Sequence, residues 1–219
     1  MFLNNIINNL SWEIILYKIP AIIIGFTLHE FMHAYVADKL GDPTPRNHGR
    51  LSLNPIVHID WFGFFALLFL NFGWAKPVYT NPRNYKNYKK GRILVSIAGP
   101  LANLTLAFIG FAVMYYAYTS LAVSSFWYNI VDNFVWINVF LFAFNLIPIP
   151  PLDGFTLLEM WINPRKYEQL NKFRNYGIIV LIILSISGIL GKYLSGVYFV
   201  INHASALLFR GIDALIGLF

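Results

Sequence analysis

The run from Ala21 to Ala37, A-I-I-I-G-F-T-L-H-E-F-M-H-A-Y-V-A, carries His29, Glu30 and His33 in an otherwise uncharged apolar stretch. Three ionisable groups in such surroundings constrain the fold strongly. The backbone must satisfy itself as helix, and the groups need partners or a purpose. In a helix, residues four apart share a face. His29 and His33 can then present two imidazoles to one metal ion, with Glu30 beside them to handle a proton on water.

The rest of the chain is equally apolar. It is 58% hydrophobic and 12% charged, with mean hydropathy +0.58, whereas soluble domains carry about 25% charged residues. This composition predicts a polytopic membrane protein with no sizeable extramembrane domain. The 219 residues leave room for about six spans of roughly 20 residues. The net charge of +6 sits in loops, where it sets topology, and nucleic acid is not an expected partner. Cysteine is absent, which excludes disulfides, a thiolate metal site and a cysteine nucleophile. The stretch from Met1 to Ser11 is Asn-rich and has no basic residue, so no removable signal peptide is expected.

Segment one is expected from about Trp12 to Leu40, with the motif toward its C-terminal end. Lys39 lies six to ten residues beyond the two histidines, or roughly 9–15 Å at the helical rise. The site is thus submerged but reachable from that side. Prolines and glycines between Gly41 and Pro55 exclude a continuous helix. Leu51 to Val57 and Trp74 to Tyr79 read as short extended pieces. Trp61 to Phe72 is too short to span and reads as a re-entrant element. Segment two is expected from about Ile93 to Leu121. Segment three runs from about Ile130 to Ile147 and ends in a proline-broken stretch. Segments four and five are about Tyr176 to Leu190 and Leu194 to Gly217. The expected fold is therefore all-α and polytopic: about five full spans, a re-entrant element and small β pieces. It forms one domain over residues 1–219, with a catalytic core at about 12–155 and accessory spans at 176–217.

Thirteen of the sixteen Lys and Arg residues lie between Lys39 and Arg92 or between Arg165 and Arg174, and none lies in the turn from Ala122 to Asn129. The basic side is expected to be cytoplasmic. The motif end of segment one and Asp153 then share one membrane face. A prokaryotic plasma membrane is the expected location.

A catalytic zinc site uses three protein ligands and one open position. His29 and His33 supply two. Candidates for the third are His48, His58, Asp60, Asp153 and His203. Asp153 is preferred, because it follows a proline-broken stretch able to face a cavity at the motif's depth. Its other possible role is a helix cap.

Several motifs now fall in one order: His29-Glu30-Phe31-Met32-His33, Gly49-Arg50-Leu51-Ser52-Leu53-Asn54-Pro55, Trp74-Ala75-Lys76-Pro77-Val78, Ala98-Gly99-Pro100-Leu101-Ala102-Asn103, and Asn145 through Leu152-Asp153-Gly154. Together they resemble the site-2 protease family of intramembrane zinc metalloproteases, peptidase family M50, in its compact branch without a PDZ domain. The resemblance covers about residues 20–155. One departure is Trp61, where that branch usually has proline after the segment Val57-His58-Ile59-Asp60. The resemblance implies one zinc per chain held by His29, His33 and Asp153, with Glu30 as general base and acid. It implies that Asn145 helps hold the substrate backbone or the oxyanion, although a helix–helix hydrogen bond is its alternative role. Expected partners are transmembrane protein substrates and the lipid bilayer, and the expected reaction is cleavage of a locally unwound transmembrane helix. The short extended pieces are candidates to pair with that substrate as added strands. Competing readings are a metal-binding transporter-like protein and an inactive scaffold that keeps the fold.

Overall fold

The computed structural model describes residues 12–70, 73–120, 124–163 and 167–217. The expectations at Met1 to Ser11, at Phe72 and over the first part of the Ala122 to Asn129 turn lie outside them.

Three long helices form the centre. Helix α1, Trp12–Lys39, buries Ala21, Ile22, Gly25, Phe26, His29, Glu30, His33, Ala34 and Ala37. That spacing is one continuous face at the helical period. After the single-turn α2, Thr44–Asn47, the chain makes a 3-10 turn at Pro55–Val57 and the ten-residue α3, Trp61–Leu70. Asp60 caps α3 by accepting the Gly63 N–H at 2.9 Å. At about 15 Å long, α3 cannot cross a bilayer alone. A second 3-10 turn at Pro82–Asn84 leads into α4, Tyr88–Ser120. Then come α5, Ser125–Asn145, and the two-turn α6, Asp153–Glu159. Helices α7, Tyr167–Ile186, and α8, Ile189–Ile216, close the chain.

Apolar contacts bind these elements into one body. Ile22 and Phe26 of α1 pack with Phe64, Leu67 and Leu68 of α3 and with Ile137 and Leu141 of α5. Ala107 and Phe111 of α4 meet Val135 and Val139 of α5 and Phe209 of α8. Ala143 and Phe144 of α5, Leu152, Leu181 of α7, and Leu190 and Leu194 of α8 make a third cluster next to α6.

The expected count of about five full spans is not supported. Among the described residues two helices, α1 and the Tyr88–Ala117 part of α4, are long and apolar enough to cross a membrane. A third is added if α7 and α8 count together, as a pair bent by 76°. Segments four and five correspond to α7 and α8, which bend apart where Gly188 takes φ +77, a conformation glycine adopts at no steric cost. Segment three corresponds to α5, which is 21 residues long. Asn129, Asp132, Asn133, Asn138 and Asn145 dilute its apolar character.

The expected β pieces do not form, and no strand occurs among the described residues. The first piece turns instead at Pro55–Val57, where the Asn54 side chain accepts the Ile56 N–H. The second stays irregular. Pro55 and Pro77 have no N–H to offer a ladder. The carbonyls of Val57, Lys76 and Pro77 all accept from the buried Arg50 guanidinium. One backbone bond, Lys76 N–H to the His58 carbonyl at 2.8 Å, joins the two pieces.

Candidate metal centre

His29 and His33 stand one turn apart on the buried face of α1, and their Nε2 atoms are 3.0 Å apart. Asp153, the first residue of α6, brings Oδ2 to 3.3 Å from His29 Nε2 and 3.2 Å from His33 Nε2. Asp153 can reach this point because α5 stops at Asn145 and the Pro148–Pro151 turn folds back. A side chain at Gly154 would strike the Leu146 carbonyl. Among the described residues these three make the one His/Asp/Glu group whose ligand atoms converge, all within 4.8 Å of one another.

The outer contacts determine which way each imidazole is protonated. His33 Nδ1 lies 2.7 Å from the Val95 carbonyl, which can only accept. His29 Nδ1 lies 2.6 Å from Asn103 Oδ1. The Asn103 amide is oriented in turn, because its Nδ2 donates to the Gly25 carbonyl at 3.1 Å. Both Nδ1 atoms therefore carry hydrogen, and in the neutral form of each ring the Nε2 lone pair faces the carboxylate. Three acceptors facing one another at 3.0–3.3 Å call for a cation between them. A tetrahedral zinc with ligands at about 2.0–2.1 Å has ligand–ligand edges of about 3.3–3.4 Å. The donor set, its spacing and its histidine-orienting contacts thus fit a tetrahedral divalent metal.

Gly99 of α4 leaves this space open. A Cβ there would lie 2.7 Å from His29 Nε2 and would collide with His33 Nε2. Glu30 is buried beside the ligands, and its Oε2 accepts the Val78 N–H at 3.1 Å. All five expected site residues, His29, Glu30, His33, Asn145 and Asp153, line a cavity of about 620 Å³. Its other walls include Phe26, Trp74, Val78, Leu141, Phe144 and Leu181. Asn145 Nδ2 donates to the Leu141 carbonyl at 2.9 Å, which leaves its second N–H and its oxygen.

The remaining candidate ligands are used elsewhere. His48 sits on the exposed α2 turn, with Nδ1 2.8 Å from the Thr44 carbonyl. His58 is fully buried, and its Nε2–H donates to the Ser52 carbonyl at 2.7 Å. Burial, with the Arg50 charge adding to it against that hydrogen bond, holds its imidazole below the ordinary histidine range. Asp60 caps α3, and exposed His203 stacks on Phe199.

Four supporting residues had no individual role in the sequence reading: Gly99 and Asn103, which entered only as parts of one motif, and Asn138 and Asp42. Asp42 is fully buried. It accepts from the Thr44 hydroxyl at 2.6 Å, the Asn81 N–H at 2.6 Å and Asn84 Nδ2 at 2.8 Å. It thereby ties the end of α1 to the turn that carries the cavity wall. A carboxylate or amide in an apolar or proline-rich stretch was the available signal, but its partners lie 35–78 residues away for Asn103 and 39–42 for the Asp42 pairs with Asn81 and Asn84.

The model of peptidase family M50 matches residues 17–187. Among named relatives, "Putative zinc metalloprotease YwhC" of Bacillus subtilis (strain 168) is 43% identical over 182 residues, covering 81% of this chain and 83% of the relative. "Putative zinc metalloprotease Rip2" of Mycolicibacterium smegmatis is 30% identical over 177 residues, covering 78% and 67%. "Putative zinc metalloprotease MJ0611" of Methanocaldococcus jannaschii is 32% identical over 157 residues, covering 69% and 73%. No solved structure matches the chain significantly. The matched region contains the whole His29, His33 and Asp153 cluster, most of α1 and the Tyr88–Ala117 part of α4, and the chain belongs to peptidase family M50 as an integral membrane peptidase.

Proposed function

We propose that this protein is an intramembrane zinc endopeptidase that cuts transmembrane helices of membrane-protein substrates. The observation that carries the reading is the convergence of two Nε2 lone pairs and one carboxylate oxygen inside an apolar-walled cavity between membrane-type helices. His29, His33 and Asp153 would hold one zinc ion per chain, in keeping with the zinc in the relatives' names. When bound, zinc supplies Lewis acidity that polarises a carbonyl and makes water acidic.

The protein residues do the rest. Glu30 takes a proton from the attacking water and delivers it to the leaving amide nitrogen. Its hydrogen bond from Val78 N–H keeps one carboxylate oxygen in place. Asn145, on the cavity wall, offers its free N–H to the substrate carbonyl oxygen as charge develops there. Phe26, Val78, Leu141 and Phe144 exclude bulk water around that exchange. A transmembrane helix has its carbonyls in its own hydrogen bonds, so the scissile segment must unwind before it enters.

The chain works as one domain, its catalytic core at about residues 12–155 and the α7–α8 unit accessory to it. The thirteen basic residues of the Lys39 to Arg92 and Arg165 to Arg174 stretches favour a cytoplasmic-facing opening in a prokaryotic plasma membrane.

The test pairs activity with metal content in purified protein. Wild type is expected to carry close to one zinc per chain and to cut a helical membrane substrate. Glu30→Gln is expected to keep the metal and lose cleavage, and Asp153→Ala to lose both. Wild-type cleavage by Glu30→Gln would overturn the mechanism. A metal-loaded wild type that moves zinc across vesicles without cutting helices would indicate transport.

A further inference from the structure

The strongest unassigned feature is a polar network buried where α1, α4 and α5 meet. Asn103 and Asn138 are both fully buried. Asn103 Oδ1 faces His29 Nδ1 at 2.6 Å, while its Nδ2 donates to the Gly25 carbonyl at 3.1 Å and to Asn138 Oδ1 at 2.9 Å. Asn138 is itself oriented, because its Nδ2 donates to the Phe134 carbonyl at 2.8 Å. Each amide has one arrangement that satisfies it. Flipping Asn103 would set its oxygen against the Gly25 carbonyl and the Asn138 oxygen. Gly25 lies one turn before His29 on α1, so Asn103 grips that helix at both the ligand and the backbone just ahead of it.

Such a network is expensive in an apolar setting unless every member is satisfied. Amide hydrogen bonds between helices also serve packing, but this network ends on a ligand nitrogen. What it does supply is an acceptor of fixed orientation at the outer nitrogen of one ligand. His33 obtains the same from a main-chain carbonyl, whereas His29 depends on a side chain.

We propose that Asn103, locked by Gly25 and Asn138, is a positioning residue that holds His29 in the tautomer whose Nε2 lone pair points at the metal position. Asn138 acts one step further out, through Asn103. The inference rests on the metallopeptidase reading only for the identity of the metal. The tautomer of His29 is a property of the protein alone.

The experiment uses the full-length protein in detergent. Zinc affinity is read by chelator competition, and the His29 tautomer by nitrogen-15 NMR of the metal-free protein. Asn103→Leu is expected to weaken zinc binding about 10–100-fold, the usual effect of removing a residue that orients a ligand, and to bring up the Nε2–H form of His29. Asn103→Asp keeps an acceptor at His29 Nδ1 but loses the donors to Gly25 and Asn138, so at some cost in stability it should hold the native tautomer and bind zinc more tightly than Asn103→Leu. Asn138→Leu leaves the Gly25 contact intact, so it should fold and weaken zinc by a smaller factor, still above about twofold. If Asn103→Leu does not fold, Asn138→Leu decides the matter by the same two readouts. Wild-type affinity with an unchanged tautomer in the folded variants would overturn the proposal. So would equal loss in Asn103→Leu and Asn103→Asp, which would mark a packing role. A wild type that binds no zinc defeats the metallopeptidase reading instead, and the tautomer measurement then stands alone.

Discussion

At the residue scale, the site depends as much on what is missing as on what is present. Gly99 is the clearest case, since a methyl group there would occupy the space between the histidines. Gly99→Ala should therefore abolish zinc binding, measured as metal per chain. The helix itself should not suffer, because alanine favours a helix interior over glycine by about 1 kcal/mol. Lost metal, with a melting temperature at or somewhat below that of chelator-treated wild type because the methyl group overpacks the site, is the expected pair of results, and full metal occupancy would contradict the geometry. Asp42 allows a test by pH. Burial raises its pKa, but the hydroxyl of Thr44, the Asn81 N–H, Asn84 and the Thr44 N–H together outweigh burial and hold it below the usual aspartate range. A depressed folded value means that the stabilisation is present above the unfolded pKa of about 3.9 and fades as pH falls through the lower folded one. Unfolding midpoints of wild type should drop in that acid window. Asp42→Asn should flatten the dependence at a lower starting stability. The His-Glu-x-x-His pair was legible from spacing because four residues and a helix decide it locally. Asn103 was legible only as the end of a motif, since its partners come from two other helices.

At the scale of elements, α7 is attached to the site by a small set of specific contacts. Glu159, buried at the end of α6, pairs with Arg92 of α4 at 3.0 Å and with Arg174 of α7. Arg174 also lies over the Phe155 ring, and Leu181 of α7 reaches the cavity wall. Glu159→Gln leaves two guanidiniums without a counter-charge, one of them partly buried. Removing one partner of a buried pair costs on the order of 3 kcal/mol. Limited proteolysis should show faster cutting around residues 160–163, and a pattern matching wild type would show that the clasp carries little. Arg50 works likewise between the two pieces once read as strands. Its planar fork reaches the Lys76 and Pro77 carbonyls at 3.4 and 3.2 Å as well as that of Val57. Arg50→Lys, a single point donor, should loosen the Trp74–Val78 wall and show increased hydrogen exchange at Val78 N–H. The strand expectation failed here for a physical reason. Prolines removed donors, and an arginine 7 residues from one of the carbonyls and 26–27 from the others took them.

For the whole molecule, metal, helices and membrane act as one system. A ligand bound only by the folded state stabilises it by about 2.7 kcal/mol at 100 times its Kd. Chelation should lower the melting temperature of wild type, whereas Asp153→Ala should melt alike with or without chelator. A chelator-insensitive wild type would argue against the three-residue site. Much of this was written in the chain by itself. Apolar runs with few charges determined a helical membrane protein. A four-residue spacing determined two ligands on one face. A proline-broken stretch before Asp153 marked where a third had to come from. These are local properties, decided by backbone hydrogen bonding and the helical repeat. Tertiary structure decided the rest. It decided that segments four and five meet at a 76° bend, that no strand forms beside the cavity among the described residues, and that Gly99 is the floor of the metal position. It also decided that Asn103 and Asn138 orient His29. Those outcomes depend on which side chains meet across helices far apart in sequence, and no periodicity along a single segment encodes that meeting.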